Sequence, residues 1–255
     1  MPVEKAAPAF PSFLRDRSVV AVGGIGLNRK PMSLIRALLA TGIRRLGLVS
    51  FLGSVDVELM IAAGVVDCIH TAGTSLDGMG LAPRYRQARQ RGHPRVVEWS
   101  EGALAAALEA GAFRLGSFPT AMSPRSEVLA VNPHLRVMPD PFTGEETVYA
   151  QAIIPDLALV QGSAVDAAGN LYIDGDPAID VLIARAARYT IASALAVEER
   201  DPRTAAISRL WLDQVVVDPK GSWPTACFPG PLLDQEAVSA WGREGGGDPG
   251  RLGLT

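Results

Sequence analysis

Short runs of β-branched and aliphatic residues alternate with segments of helical period along most of this chain. That alternation constrains its fold more than any other feature. SVVAV (18–22), LGLVSF (46–51), VVDCIHTA (65–72) and RVVEW (95–99) read as buried strands. Between the first two lies MSLIRALLATG, where Leu34, Ile35, Leu38 and Leu39 share one helical face, Pro31 suits the first turn and Gly42 the end. Further helices are expected over 55–63, 80–91 and 101–110, the last two closed by Gly92 and Gly111. The alternation resumes with strands in DLALVQGSAVD (156–166), GNLYI, YTIASALAV (189–197) and LDQVVVDP (212–219), and a helix over 177–187. The pattern predicts an α/β fold, a parallel sheet flanked by helices on both faces.

Residues 113–150 break the pattern. They are rich in Pro, Ser and Asn (FPTAMSPRSEV, NPHLRVMPDPFTGEE) and read as excursions over the sheet. No repeat or long linker divides the chain. Residues 1–242 are therefore expected to form one α/β domain, and REGGGDPGRLGLT (243–255) a frayed tail. A length of 255 residues with 48% hydrophobic content allows a sizeable core.

Composition excludes several function classes. The formal net charge is −3 with no basic stripe, which argues against a nucleic-acid partner. The N-terminus has an early acid and no apolar core of secretory-signal length, and no apolar run is long enough to cross a bilayer, so a cytoplasmic location and no membrane partner are expected. Cys68 and Cys227 lack metal-ligand spacing and read as reduced, buried thiols. His70, His93 and His134 are scattered, with no pairing that suggests zinc or a triad, and His70 reads as a structural histidine at a strand end. No metal site is expected. Trp211, Trp223 and Trp241 read as core or interface anchors, and Asp56 and Glu58 as the first turn of a helix. DAAGNL (166–171) is a turn signature.

The chemistry-bearing candidate is VAVGGIGLNRKP (20–31), a strand, a glycine turn and a helix start. It is neither GxGxxG with a downstream acid nor a P-loop ending in G-K-[ST]. Two readings stand side by side: a tight turn packing helix on strand, or an anion site built from main-chain amides. A second candidate is VEWSEGAL, where Glu101 follows a strand at the first turn of a helix. Ser100 with a following acid also makes a helix start by capping and the macrodipole, with no chemistry required.

GG-I-GLN-RKP resembles the first-strand motif of family I coenzyme A transferases, in particular A subunits of the glutaconate type. The resemblance continues in order through IAAGVVDCIHTAGTSLDG, PRYRQA, EWSEGALAAAL, DPFTGEE, DLALVQGSAVDAAGNL, DVLIARAARYTIAS and VVVDPKGSWPTACF, covering roughly residues 15–230. It implies a NagB/RpiA/CoA transferase-like fold and a two-chain enzyme. It also implies a coenzyme A thioester as substrate, no permanently bound cofactor, and as partner a B (beta) subunit, in an α2β2 or higher assembly. In such transferases the nucleophilic glutamate belongs to the B chain, in a Ser-Glu-Asn-Gly type motif that this sequence lacks. The A chain is then expected to place Gly23, Gly24, Arg29, Thr74, Ser75, Met122 and Ser123 around the acyl group. Lys30 reads either as a substrate contact or as a solvated or intersubunit charge. A related branch opens a ring of steroid degradation intermediates as coenzyme A-dependent hydrolases. It carries Glu-Gly where transferases carry glutamine, and Glu101 matches it as a candidate catalytic base. That branch also has an arginine where Ala121 stands here, with Arg125 four residues further on. The transferase reading is placed first and the hydrolase second. A non-catalytic regulator on the same fold is the third possibility, and the lack of room for an N-terminal helix-turn-helix counts against it.

Overall fold

The structure, a computed structural model, describes residues 3–4 and 7–243. In chain order its strands are β1 (Val3–Glu4), β2 (Val19–Ile25), β3 (Leu46–Gly53), β4 (Val66–Thr71), β5 (Gly73–Thr74), β6 (Arg95–Glu98), β7 (Ser117–Thr120), β8 (Leu135–Pro139), β9 (Glu146–Gln151), β10 (Leu157–Val165), β11 (Leu171–Tyr172), β12 (Thr190–Val197) and β13 (Gln214–Val217). The helices are α1 (Met32–Ala40), α2 (Val55–Ala62), α3 (Pro83–Arg91), α4 (Glu101–Ala112), α5 (Val128–Val131), α6 (Asp180–Ala186) and α7 (Gln235–Arg243). The main sheet runs β1-β13-β12-β10-β2-β3-β4-β6 and is parallel throughout. β5 extends alongside β3 in the same sense, and β11 pairs antiparallel with β10. This is the sheet that the alternation predicts, with β10 buried at every position because helices cover both faces.

Two apolar layers hold it. On one face Leu34, Ile35 and Leu38 of α1 and Leu59 and Met60 of α2 pack on Val20, Val22, Leu48 and Leu159. On the other, Leu104, Ala107 and Leu108 of α4 and Ile183 of α6 pack on Ala21, Val49, Val160 and Ala192. Among the described residues no helix is long and apolar enough to cross a membrane.

Several local expectations change. Residues 113–150 are not only loop: β7, β9 and β8 form a separate antiparallel sheet, in that order. Gly92 ends α3 in the left-handed region as expected (φ 71°). Gly111, by contrast, lies inside α4, where a Cβ would come within 2.0 Å of the Ile153 carbonyl oxygen. It is there for close approach, not for termination. Asp56 and Glu58 do sit in the first turn of α2, but both are fully buried. Of the two thiols Cys227 is buried, whereas Cys68 on β4 is only half-buried. Trp241 is buried beneath the Arg84 guanidinium, while Trp211 is 43% exposed. Arg243 closes α7, and the rest of the expected tail lies outside the described residues.

Candidate active site at the strand ends

In a parallel sheet every strand delivers its C-terminus to the same edge, which is where α/β proteins collect ligands. Here that edge carries the glycine turn after β2, the β3–α2 turn at Gly53-Ser54, the Ser75 loop after β4 and β5, and the start of α4 after β6.

The glycine turn is set by contacts within the chain. Gly24 has φ +77°, and a Cβ there would lie 2.4 Å from the Arg29 carbonyl oxygen. A Cβ on Gly23 would lie 2.8 Å from Oδ1 of Asp180, the first residue of α6. That carboxylate accepts the Gly24 N–H at 2.8 Å and pairs through Oδ2 with the Arg29 guanidinium at 2.5 Å. A second Arg29 nitrogen donates to the Asp176 carbonyl. Arg29, with φ +54°, is thus buried and spent inside the chain, as is the Gly24 amide. Burial raises the Asp180 carboxyl above its ordinary range, and Arg29 pulls against that shift.

Lys30 is neither a solvated nor an intersubunit charge. It has no exposed surface, and its ammonium meets Asp56 Oδ2 at 3.2 Å, the Leu52 carbonyl at 2.9 Å, and Ser50 Oγ and the Gly24 carbonyl at 3.3 Å each. Asp56 also accepts the Ser50 hydroxyl and the Ser54 N–H at 2.7 Å each. Glu58 accepts the N–H groups of Arg84 and Tyr85 and so holds the start of α3; burial pushes its carboxyl up. The Arg-Lys-Pro motif is therefore a fastener joining β2 to α6 and α2.

Other groups at the edge are less committed. Thr74 Oγ1 is buried with no hydrogen-bond partner among the described residues and faces Gly53, where a Cβ would be 2.7 Å away. Ser75 is exposed and caps its own turn, with its hydroxyl and Asp77 Oδ1 3.2 Å apart. The Asp77 carboxylate in turn reaches Gly26, where a Cβ would lie 3.1 Å from it, so this loop touches the glycine turn. Ser100 caps α4 by accepting the Ala103 N–H at 3.2 Å. Glu101 next to it is exposed and makes no hydrogen bond or ion pair among the described residues. Met122 brings its sulfur within 3.7 Å of Ser100 Oγ, placing the FPTAMSP loop over the start of α4. Ser123 is exposed and accepts the Arg125 N–H in a turn.

Sequence reasoning missed two features. One is Asp180, whose role depends on contacts with Gly24 and Arg29 more than 150 positions away in the chain. The other is a ring cluster around Trp99, two residues before Glu101. The histidines are not all scattered, since the His70 and His134 rings lie 5.3 Å apart and the Trp99 ring stacks on His134. Trp99 Nε1–H donates to His70 Nδ1 at 3.2 Å, which leaves the His70 proton on Nε2, facing Cys68. Burial, with His134 and Arg95 nearby, lowers the His70 pKa to about 4. No group of three or more His, Cys, Asp or Glu among the described residues is arranged to hold a metal. Burial pushes Cys227 up to about 11, so at neutral pH it is an unreactive thiol near the Gly162 carbonyl.

A family model described as coenzyme A transferase matches residues 3–218. This chain belongs to the coenzyme A transferase family. An uncharacterised protein of Archaeoglobus fulgidus is 28% identical over 248 residues; the match takes in 92% of this chain but only 54% of that longer protein. The cholesterol ring-cleaving hydrolase IpdA subunit of Rhodococcus jostii is 33% identical over 215 residues, 80% of this chain and 72% of that one. The A chain of glutaconate CoA-transferase from Acidaminococcus fermentans is 26% identical over 242 residues, 86% and 76% of the two chains. Among solved structures, a cysteine-to-serine variant of the decarboxylase AibA/AibB superposes with a TM-score of 0.81 at 30% identity, covering 90% of this chain and 88% of its own. The glutaconate coenzyme A-transferase of Acidaminococcus fermentans gives 0.83 at 22% identity, covering 91% and 80%, a likeness of fold.

Proposed function

We propose that this coenzyme A transferase family chain is the A-type subunit of a heteromeric enzyme that moves coenzyme A between an acyl-coenzyme A, short-chain or dicarboxylic, and a free carboxylic acid. The observation that carries this reading is the state of the strand-end edge. Its buried carboxylates, Asp56 and Asp180, are bound to Lys30 and Arg29, so neither is free to attack a thioester. A partner chain supplies the nucleophilic glutamate, and this chain supplies the floor and the acyl-side contacts, with Thr74 Oγ1 as the unspent buried hydroxyl. The acyl-glutamyl anhydride formed on the partner then exchanges into a glutamyl-coenzyme A thioester.

A second reading has its own support. Glu101 is exposed at the edge and unpaired among the described residues, and the Rhodococcus relative at 33% identity is a ring-cleaving hydrolase subunit. In that reading a partner covers Glu101, and the carboxylate activates water for C–C cleavage beside a ketone. One experiment separates the two. The co-purified pair is incubated with acyl-coenzyme A thioesters and free acids and trapped with borohydride or hydroxylamine. A glutamyl adduct on the partner, with turnover surviving Glu101→Gln, supports the transferase. No adduct, with water entering an opened ring in a step abolished by Glu101→Gln, supports the hydrolase.

A further inference from the structure

At the opposite edge of the sheet, where β2, β10 and β12 begin, lies a cleft of about 530 Å³ lined by Phe13, Arg15, Asp16, Arg17, Asp156 and Arg188, among others. Its volume falls within the range of small-molecule sites. The electrostatics of its walls set it apart. Both lining carboxylates are already neutralised from the side. Asp16 Oδ1 accepts the Arg44 N–H at 2.9 Å and its Oδ2 pairs with Arg45 at 3.1 Å, which hold its pKa below the usual range. Asp156 accepts the Val19 N–H at 2.9 Å and pairs with Arg188 at 3.2 Å. Arg15 and Arg17 are exposed, and neither guanidinium has an acidic or hydrogen-bonding partner among the described residues. The cleft is therefore a local excess of positive charge on a chain whose formal net charge is −3.

The segment that presents these arginines is held in place. Ser18 N–H donates to the Arg15 carbonyl at 3.0 Å, and Arg15 N–H donates to Ser18 Oγ at 3.2 Å. Arg17 has φ 70°, left-handed for a side-chain-bearing residue, and its N–H reaches the Arg44 carbonyl at 3.3 Å. Phe13, 37% exposed, supplies an aromatic wall on which the Arg188 guanidinium already stacks, 4.8 Å from the ring centroid. Guanidinium forks match phosphate oxygens in geometry and charge. We propose that this cleft binds a nucleotide carrying two or more phosphates, with Arg15 and Arg17 on the phosphate chain and Phe13 against the nucleoside.

The same chemistry is offered by a free nucleotide and by the nucleotide end of coenzyme A, and the test distinguishes them. The chain, co-purified with its partner, is titrated calorimetrically with ATP, with tripolyphosphate and with coenzyme A at low and moderate salt. ATP binding that weakens with salt and falls at least tenfold in an R15A/R17A double variant, with unchanged circular dichroism and thermal midpoint, is the expected result. ATP binding not displaced by coenzyme A assigns the cleft to a free nucleotide. Mutual displacement, with a KM for coenzyme A raised in R15A/R17A, assigns it to the coenzyme. Absence of heat with all three probes to millimolar concentration, or ATP binding indifferent to the double substitution, overturns the proposal.

Discussion

Asp180 accepts the Gly24 amide and the Arg29 guanidinium on its two oxygens, so the glycine turn depends on one carboxylate more than 150 positions away. Replacing it with Asn keeps the size but leaves Arg29 charged and buried without a counter-ion. Asp180→Asn is expected to cost about 3–5 kcal/mol of stability, read by urea unfolding. Gly24→Ala meets both the left-handed backbone and the Arg29 carbonyl, and a loss of about 3 kcal/mol is expected in the same assay. His70 gives a pH prediction whose sign follows from its lowered pKa. Above 6.5 it is neutral in both states. Between 6.5 and about 4 the unfolded chain takes up a proton that the folded chain refuses, so stability falls as pH drops through that window. The total loss is about 3 kcal/mol, levelling off below the lower value. His70→Gln is expected to flatten that limb when unfolding free energies at pH 7 and pH 4.5 are compared; an unchanged slope would refute the assignment.

At the scale of elements, α4 shows what sequence can and cannot reveal. Its start is legible, because Ser100 followed by an acid is a local capping pattern, and the cap bond is present. Ser100→Ala should cost about 1 kcal/mol, whereas Glu101→Gln should shift stability by less than about 1 kcal/mol. Its end misleads: a glycine at the tail of an apolar periodic run looks like a stop, yet Gly111 is needed for the approach to Ile153, a contact 42 positions away. Gly111→Ala is therefore expected to destabilise by at least about 1–3 kcal/mol, despite the higher helix propensity of alanine. The antiparallel sheet of β7, β8 and β9 is hidden for a similar reason, since its strands are short and flanked by prolines, so composition outweighs their alternation. Likewise the Arg-Lys-Pro motif can be recognised from sequence but not interpreted. Whether Arg29 and Lys30 face a ligand or a buried acid depends on which strand and helix the fold brings beside them.

At the scale of the whole molecule, the parallel sheet and its helical layers are legible because hydrophobic period is a local property repeated over many elements. The return of residues 221–227 over the first glycine turn is not. Arg29 N–H donates to the Ala226 carbonyl at 2.7 Å, Lys30 N–H to Thr225 Oγ1 at 3.2 Å, and Ser33 N–H to the Gly221 carbonyl at 2.8 Å. Cutting the chain after Asp218 should lower the thermal midpoint far more than cutting after Asp234, which spares this strap and removes α7. Equal losses would show that α7 carries the stability instead. The strap also has a consequence for synthesis. A ribosome releases β2 and its turn early, yet the groups that complete the turn, first Asp180 and then residues 221–227, emerge much later. During translation the candidate edge stays open while the sheet behind it assembles, until those later residues arrive to close it.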